Sequence, residues 1–397
     1  MFVSAYGTEL SDGRQRSPLL ASAAVVWSAS VAALFLSLQP LLVGALVDDL
    51  GMTLQQSGNV ASANMLGQFA GAVVSLLLLR RVKVRYLLLA GILLLPTGDL
   101  VSAALVTNPT ALAVARMLAG FGAGLTLACG FATVAALPNP ARVFAAVLFL
   151  QTLSGAAALL VAPGLFAAIG IRGAFIGLAA VALTSLAFLP LFAQPATDTI
   201  GQRARQALPR VATALVLGSL FVHYIANNGI WAHFDRIGAA AGLSKENVGL
   251  ALSIGQLCSL VGAAGAALLS TRVTSRAAIL AGIVAIALST AMLLRVANPG
   301  HLLASVALFI GSIGFVVPFY LASLAARDAT GRLVIMGKLS ILGGLVVGPA
   351  LAAAIATATS LAVMILFSMA LFVLALVLAG TGLQDTRRLT STEGAAS

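Results

Sequence analysis

The sequence predicts an all-α membrane protein of twelve transmembrane helices arranged as two six-helix pseudo-repeats. Three observations predict it: a lipid-compatible composition, a series of evenly spaced apolar segments, and an internal repeat at one fixed offset. Of 397 residues, 60% are hydrophobic and 8% are charged, and the mean hydropathy is +1.08. A soluble chain carries about a quarter charged residues, and so few cannot cover a water-facing surface. A formal charge of +11 in a soluble domain would suggest nucleic acid. Here the basic residues fall between apolar segments, so the expected partner is the lipid bilayer and no nucleic acid.

With a window of about 19 residues, apolar runs fall at 19–46, 57–79, 86–106, 110–136, 143–168 and 173–193, then at 211–234, 247–270, 277–296, 302–325, 333–356 and 359–380. Most reach the ~20 residues that a ~30 Å hydrocarbon core requires, and a helix satisfies its own backbone groups there. Residues 1–18 are polar, with Arg14 and Arg16, and the apolar run after them is too long for a signal peptide. The polar stretch QPATDTIGQRARQALPR at 194–210 joins the two sets of six. The expected units are therefore an N-terminal half over 1–193, a cytoplasmic linker over 194–210, a C-terminal half over 211–383 and a cytoplasmic tail over 384–397. Cys129 and Cys258 lie inside apolar runs without CxxC spacing and read as small buried hydrophobes.

Lys and Arg set the orientation. Arg14, Arg16, Arg80, Arg81, Lys83, Arg85, Arg142, Arg203, Arg205, Arg210, Arg272, Arg276, Arg327, Arg332, Lys338, Arg387 and Arg388 all fall on one face of the predicted topology. Arg172, Arg236, Lys245 and Arg295 fall on the other, and Arg116 falls inside a helix. The positive-inside rule puts the first group and both termini in the cytoplasm, for a multi-pass protein of the inner (plasma) membrane.

A shift of 191 residues lays LGMTLQQSGNVASANMLGQFAGAVVSLLLLRRVKVR (50–85) over AGLSKENVGLALSIGQLCSLVGAAGAALLSTRVTSR (241–276) without a gap. Gly51, Gly58, Ser62, Gly71, Arg81, Val82 and Arg85 meet Gly242, Gly249, Ser253, Gly262, Arg272, Val273 and Arg276. Six helices per half give parallel repeats about an axis along the membrane normal, with substrate sites near midplane between the halves.

These features resemble the major facilitator superfamily of secondary transporters over essentially the whole chain. DDLGMTLQQSG after segment 1 resembles that superfamily's loop into helix 2. ARMLAGFGAG (115–124) is similar to its helix 4 motif, and GIRGAF (170–175) to the G-x-R-x-x-F that opens helix 6. The resemblance implies alternating access by rocking of two halves, a small-molecule substrate, no cofactor and a monomer. Two departures stand out. LLLLRRVKVR keeps the basic residues of the helix 2–3 loop but has neither its acid nor its glycine, and the helix 5 exporter motif is reduced to SGAAALLVAPG (154–164). Ser154, Ala158 and Ala162 still form a small-residue stripe for close helix contact.

Two charges stand inside apolar segments. Asp99 lies about nine residues before the centre of the TNP turn (107–109) and Arg116 about eight after it, so at ~1.5 Å per residue they sit at nearly equal depth. A lone charge at the bilayer centre costs about 2.5–3.5 kcal/mol or more, so each is expected to pair or to face a water-filled cavity. One reading is a fixed salt bridge between helices 3 and 4. The other puts Arg116 on the cavity, as ligand of an anionic substrate group or as partner of an acid in proton coupling. The resemblance to the helix 4 motif, whose Arg is implicated in coupling in proton antiporters, implies the second. Asp99 is the leading proton carrier.

A second constellation lies in GSLFVHYIANNGIWAHFDRIG (218–238), where His223, Asn227 and Trp231, with Tyr224 and Asn228, share one broad helical face. That face reads as cavity-lining or as packing through hydrogen bonds. The NNG triplet is expected to weaken the helix. His223, with an ordinary pKa near ~6.5, is a further proton-coupling candidate. Asp235 and Arg236 are expected to be solvated or paired at the outer end. Weaker cavity candidates are Gln39, Gln151, Gln256 and Tyr320, with Asn64 and Gln68, and Gly311, Gly314 and Pro318 suggest a bendable helix 10.

No HExxH, GxSxG, GxxxxGKS or zinc spacing occurs, so an enzyme is not expected. The reading is a secondary active transporter, by preference a proton-coupled exporter of a small amphipathic drug or metabolite. Its alternative is proton-coupled uptake of an organic anion bound by Arg116.

Overall fold

The computed structural model describes residues 18–79, 81–134, 140–192, 211–328 and 332–383. The N-terminal polar segment, the linker at 194–210 and the tail at 384–397 lie outside the described residues, and with them Arg14, Arg16, Arg80, Arg203, Arg205, Arg210, Arg387 and Arg388. The elements are α1 (Pro18–Asp48), α2 (Leu54–Leu78), α3 (Val84–Ala104), α4 (Pro109–Val134), α5 (Pro140–Leu183), α6 (Ser185–Phe188), α7 (Val211–Ala240), α8 (Lys245–Leu269), α9 (Ser275–Met292), α10 (Pro299–Ala325), α11 (Arg332–Ala358) and α12 (Leu361–Gly382). Among the described residues there is no strand.

Among the described residues eleven helices are long and apolar enough to cross a membrane, one fewer than the sequence predicts, because segments 5 and 6 run together as a single 50-residue stretch, Arg142–Leu191. A straight helix of that length would span about 75 Å, more than twice the hydrocarbon core. Gly170 breaks it, with φ 65° and ψ 175° inside α5, a backbone that glycine adopts without a Cβ clash. The two arms fold back on one another. Gln151 in the first arm donates to the Ala29 carbonyl at 3.0 Å, and Trp27 donates to the Thr184 hydroxyl beyond the second arm at 2.9 Å. Residues 33 apart in sequence thus reach neighbouring turns of α1.

The repeat is written in the helix ends. α2 and α8 each run 25 residues, and Leu54 and Lys245 differ by the same 191 as Leu78 and Leu269. Gly51 and Gly242, also 191 apart, both have positive φ (66° and 74°) and turn the chain into these helices. The hydroxyl caps follow suit, Thr53 accepting from the Gln56 amide and Ser244 from the Asn247 amide, each satisfying one of the free donors of a helix start.

Small residues then set the spacing. A Cβ at Gly67 or Gly71 would overlap the backbone of α4 at Met117 or Phe121, and one at Gly262 or Gly314 would overlap the facing backbones of α10 and α8. Each half is thereby held together by backbone-to-backbone approach. Cys129 is buried beside the Ser75 hydroxyl at 3.3 Å, and both cysteines are free thiols.

The halves meet at the end formed by the α1–α2 and α7–α8 turns. Gly58 of α2 seats against Pro349 and Ala353 of α11, and Gly249 of α8 against Pro163 and Leu159 of α5. The Ala350 amide donates to Ser62, and Ser253 donates to the Ala156 carbonyl. Following the same faces toward the opposite end, at multiples of the 3.6-residue turn, reaches exposed side chains. These are Leu66 and Leu76 on α2, Ile335 and Lys338 on α11, Ala145 and Leu148 on α5, and Ala263 and Ala267 on α8. The faces that touch at one end have separated at the other, so a cleft opens toward the α2–α3 and α8–α9 turns.

Substituting Gly67→Val should destabilise the protein by about 1–3 kcal/mol through overpacking, read as a lower denaturation midpoint in detergent. Gly177→Val, where a Cβ meets nothing within 4 Å, should leave the midpoint near that of the wild type.

Candidate functional site

Asp99 and Arg116 meet, as their equal depth predicts. The turn at 105–108 sets α3 antiparallel to α4, and Arg116 Nη1 donates to Asp99 Oδ1, with Ser102 Oγ at 3.5 Å. Arg116 is 0% exposed and Asp99 2%. The guanidinium carbon lies 4.2 Å from the Phe35 ring centroid of α1 and 5.2 Å from that of Phe175 in the second arm of α5, so two ring faces share its charge. Asn64 of α2 donates to the Arg116 backbone carbonyl at 3.0 Å. A cavity of about 10 Å³ adjoins the pair, lined by Asn64, Asp99, Arg116, Phe35 and Leu95 among others, large enough for about one water. Arg116 Nε and Nη2 have no partner among the described residues. In this conformation the arginine is enclosed by the N-terminal half and does not lie on the cleft.

The α7 candidates divide. α7 is a continuous helix through NNG, contrary to the weakening expected. Asn228 donates to the Leu345 carbonyl of α11 at 2.8 Å rather than to its own backbone, and Gly229 sits under Gly348 and Ala352 of α11, so the triplet serves close packing. Trp231 crosses to the other half and donates to the Leu36 carbonyl of α1 at 2.8 Å. His223 is fully buried, neither ring nitrogen has a partner among the described residues, and the Tyr224, Tyr320 and Phe372 rings stand 5.4–6.1 Å away. The Tyr320 hydroxyl pairs with Ser219 at 2.6 Å. The Asn227 amide nitrogen lacks a partner among the described residues, as do both amide atoms of the fully buried Gln39. Gln151 is committed to α1, while Gln256 is half-buried. α10 runs unbroken through Pro318.

Three features escape the sequence reading. Arg236 joins the halves through two hydrogen bonds to Asp48, at 2.6 and 2.7 Å, and also holds the buried Asp235 at 2.6 Å. Lys245 adds contacts to Asp48 and Asp49 at 3.3 and 3.2 Å. Gly44 of α1 makes the room, since a Cβ there would overlap the Asp235 carboxylate. Pseudo-symmetry offers a signal for this cluster, because residue 239, the 191-shifted equivalent of Asp48, lies three residues from Arg236. The second is His233, fully buried, with Nδ1 2.7 Å from the Gly229 carbonyl and Nε2 without a partner among the described residues. The third is Lys338, which the sequence groups with the cytoplasmic basic residues although it falls inside the run 333–356. It stands in α11, exposed on the cleft face, three turns from Pro349.

The family model of the Major Facilitator Superfamily matches residues 25–223. No curated protein matches. Among solved structures, a D-xylose-proton symporter is similar at 13% identity with a TM-score of 0.72, covering 92% of this chain and 96% of that one. The nucleoside transporter NupG, as a point mutant, is similar at 14% identity and TM-score 0.76, over 92% of this chain and all of that one. The human organic anion transporter MFSD10 (TETRAN) is similar at 17% identity and TM-score 0.65, with the same coverage. At these identities the likeness is one of fold.

Two outcomes follow from the geometry. Asp99→Leu leaves a buried guanidinium without its carboxylate and should cost about 3–5 kcal/mol. Asp99→Leu combined with Arg116→Leu should cost less, as compared by denaturation in detergent. At the closed end, Asp48→Asn in a Trp27→Phe background should red-shift Trp231 emission and expose it to acrylamide. High salt should move the wild-type end the same way by screening the ion pairs.

Proposed function

The chain belongs to the Major Facilitator Superfamily, and from that premise we propose that it exports small amphipathic organic molecules in exchange for protons, by alternating access. The single observation that carries the proton coupling is the Asp99–Arg116 pair, buried in one half and half-satisfied. At the positions 191 residues on, the other half has Thr290 and Ala307, neither of which carries a charge, so the ion pair has no counterpart in the C-terminal half.

The proposed cycle runs as follows. A proton on Asp99 removes the charge that answers Arg116, and the guanidinium must then find other acceptors within reach. Phe35 stands over it on α1, the helix whose Leu36 carbonyl and Asp48 hold the closed end. A reorientation of Arg116 therefore bears directly on the helix that crosses between halves. His223 of the C-terminal half, without a partner among the described residues, is a second place for a proton. The positive-inside rule assigns the open end of the cleft to the cytoplasm of the plasma membrane, so substrate would enter from inside. The apolar cleft residues Leu66, Leu76, Leu148 and Ile335 favour an amphipathic molecule.

Lys338 favours a second reading. A cation exposed on the cleft face would receive a carboxylate, which suits proton-coupled uptake of an organic anion, with Arg116 as a deeper ligand after rearrangement.

Proteoliposomes under an imposed pH gradient separate the two, using wild type, Asp99→Asn, Arg116→Ala and Lys338→Gln on labelled organic anions and cationic dyes. Export is expected to show accumulation of dye on the acidic side, abolished by Asp99→Asn only when transport runs uphill. Loss of anion transport in Lys338→Gln and Arg116→Ala, with normal coupling in Asp99→Asn, would establish the second reading instead.

A further inference from the structure

Where α9 begins and α10 and α12 finish, the C-terminal half carries a cavity of about 570 Å³, separate from the cleft. Thr274, Ser275, Arg276, Ser323 and Arg327 give it a polar wall with two guanidinium groups. Its volume lies within the roughly 300–1,000 Å³ of small-molecule sites. Among the described residues that line it there is no carboxylate. Asp328, next in sequence to Arg327, accepts from the Leu333 amide at the start of α11.

The two arginines differ in commitment. Arg327 is positioned by the protein, donating from Nη2 to the Gly382 carbonyl of α12 at 2.8 Å and from Nη1 toward Thr213 of α7 at 3.4 Å. Arg276 is half-buried on the first turn of α9, and its Nε is buried with no partner among the described residues. A buried donor without an acceptor is destabilising, and a bound oxyanion would supply the acceptor.

The apolar surroundings say what the oxyanion is attached to. Leu280 and Leu383 close the cavity on its inner side. From Leu280 an exposed apolar stripe continues down α9 through Val284 and Leu288, at four-residue steps along one face. A basic pocket at the helix ends, level with lipid headgroups and continuous with a lipid-facing apolar stripe, is the setting in which anionic headgroups bind. We propose that this cavity is a binding site for the phosphate of an anionic glycerophospholipid, with Arg276 as the ligand that selects for the negative headgroup. The site is independent of the direction of transport and of its coupling.

The test uses the purified full chain in detergent with dihexanoyl phosphatidylglycerol, read by native mass spectrometry and calorimetry, with dihexanoyl phosphatidylcholine and inorganic phosphate as the other two arms. Phosphatidylglycerol should bind and phosphatidylcholine should not, and inorganic phosphate in large excess should fail to displace the lipid. Arg276→Gln should weaken binding about fivefold, the worth of one basic residue at an anionic surface. Arg276→Lys should keep most of it, and Arg272→Gln, on the exposed neighbouring turn, should match wild type. An Arg276→Gln protein that elutes as wild type and binds as tightly would overturn the proposal, as would equal binding of phosphatidylcholine. Full displacement by inorganic phosphate would reassign the site to a free anion and overturn the lipid.

Discussion

A guanidinium sealed among lipid-facing helices must be answered from within the protein, because hydrocarbon offers neither acceptors nor counter-charge. Arg116 imposes that demand, and four elements converge to meet it. α3 supplies the Asp99 carboxylate, α1 and the second arm of α5 supply the Phe35 and Phe175 ring faces, and α2 ties the backbone through Asn64. The packing between them follows from the same need. Gly98, beside Asp99, leaves no room for a Cβ against Ala119 of α4, and Gly120 leaves none against Asn64 of α2. Glycine at these points lets backbones approach until a short carboxylate can reach the arginine. The Gly170 break belongs to the same arrangement, since a straight α5 could not bring Phe175 back beside α1.

The C-terminal half has the same scaffold without the charge. α8 starts and stops where a 191-residue offset from α2 puts it, α7, α9 and α10 do so from α1, α3 and α4 to within three residues, and Gly262 repeats the close contact that Gly71 makes. Where the ion pair would stand, Thr290 returns its hydroxyl to the Ile286 carbonyl of its own helix, an arrangement that asks nothing of its neighbours. The polar interest of this half moves to α7, where His223 sits in an aromatic enclosure. Geometry was duplicated and chemistry was not, which is why the repeat is visible in glycines and caps but absent from the titratable groups.

The sequence was most informative where a rule acts locally. Apolar run lengths, the cap hydroxyls Thr53 and Ser244, and the paired glycines Gly51 and Gly242 place the helices and their repeat because each acts within a few residues. The Asp99–Arg116 contact was legible because one short turn fixes the depth of both ends. The Gly170 break was legible too, since the apolar runs 143–168 and 173–193 part on either side of it and GIRGAF begins there. Side-chain direction was not legible: the helical face of His223, Asn227, Asn228 and Trp231 reads as a cavity wall or as packing, without saying toward which helix, and Asn228 turns to α11 and Trp231 to α1. Contacts between halves, such as Arg236 with Asp48, join residues 188 apart and depend on how two rigid bodies dock, which no local pattern encodes. Lys338, inside the run 333–356, was grouped with the cytoplasmic residues for a related reason, because hydropathy does not say which face of the helix a side chain takes.

The docking of the halves rests on two equivalent contacts and one unequal one. Gly58 on Pro349 and Gly249 on Pro163 are pseudo-symmetric, the glycines being 191 residues apart, and each lets a helix of one half lie directly on the other. Such contacts are steric and either engage or separate, so they define a closed end without favouring it strongly. The ion cluster is different. Asp48 and Asp49 on one side, and Arg236 and Lys245 on the other, have no counterpart by symmetry, since residues 239 and 240 are alanines and Gly44 and Ala45 stand at the places equivalent to Asp235 and Arg236. Exposed pairs of this kind are worth about 0–1 kcal/mol each. That magnitude biases a two-state equilibrium without locking it, because a few tenths to one kcal/mol changes populations by a factor of only about two to five. An ion latch beside two close glycine contacts therefore biases the closed end without locking it. Trp231 joins the two scales, because its indole bonds α1 one residue from Phe35, the ring that covers Arg116.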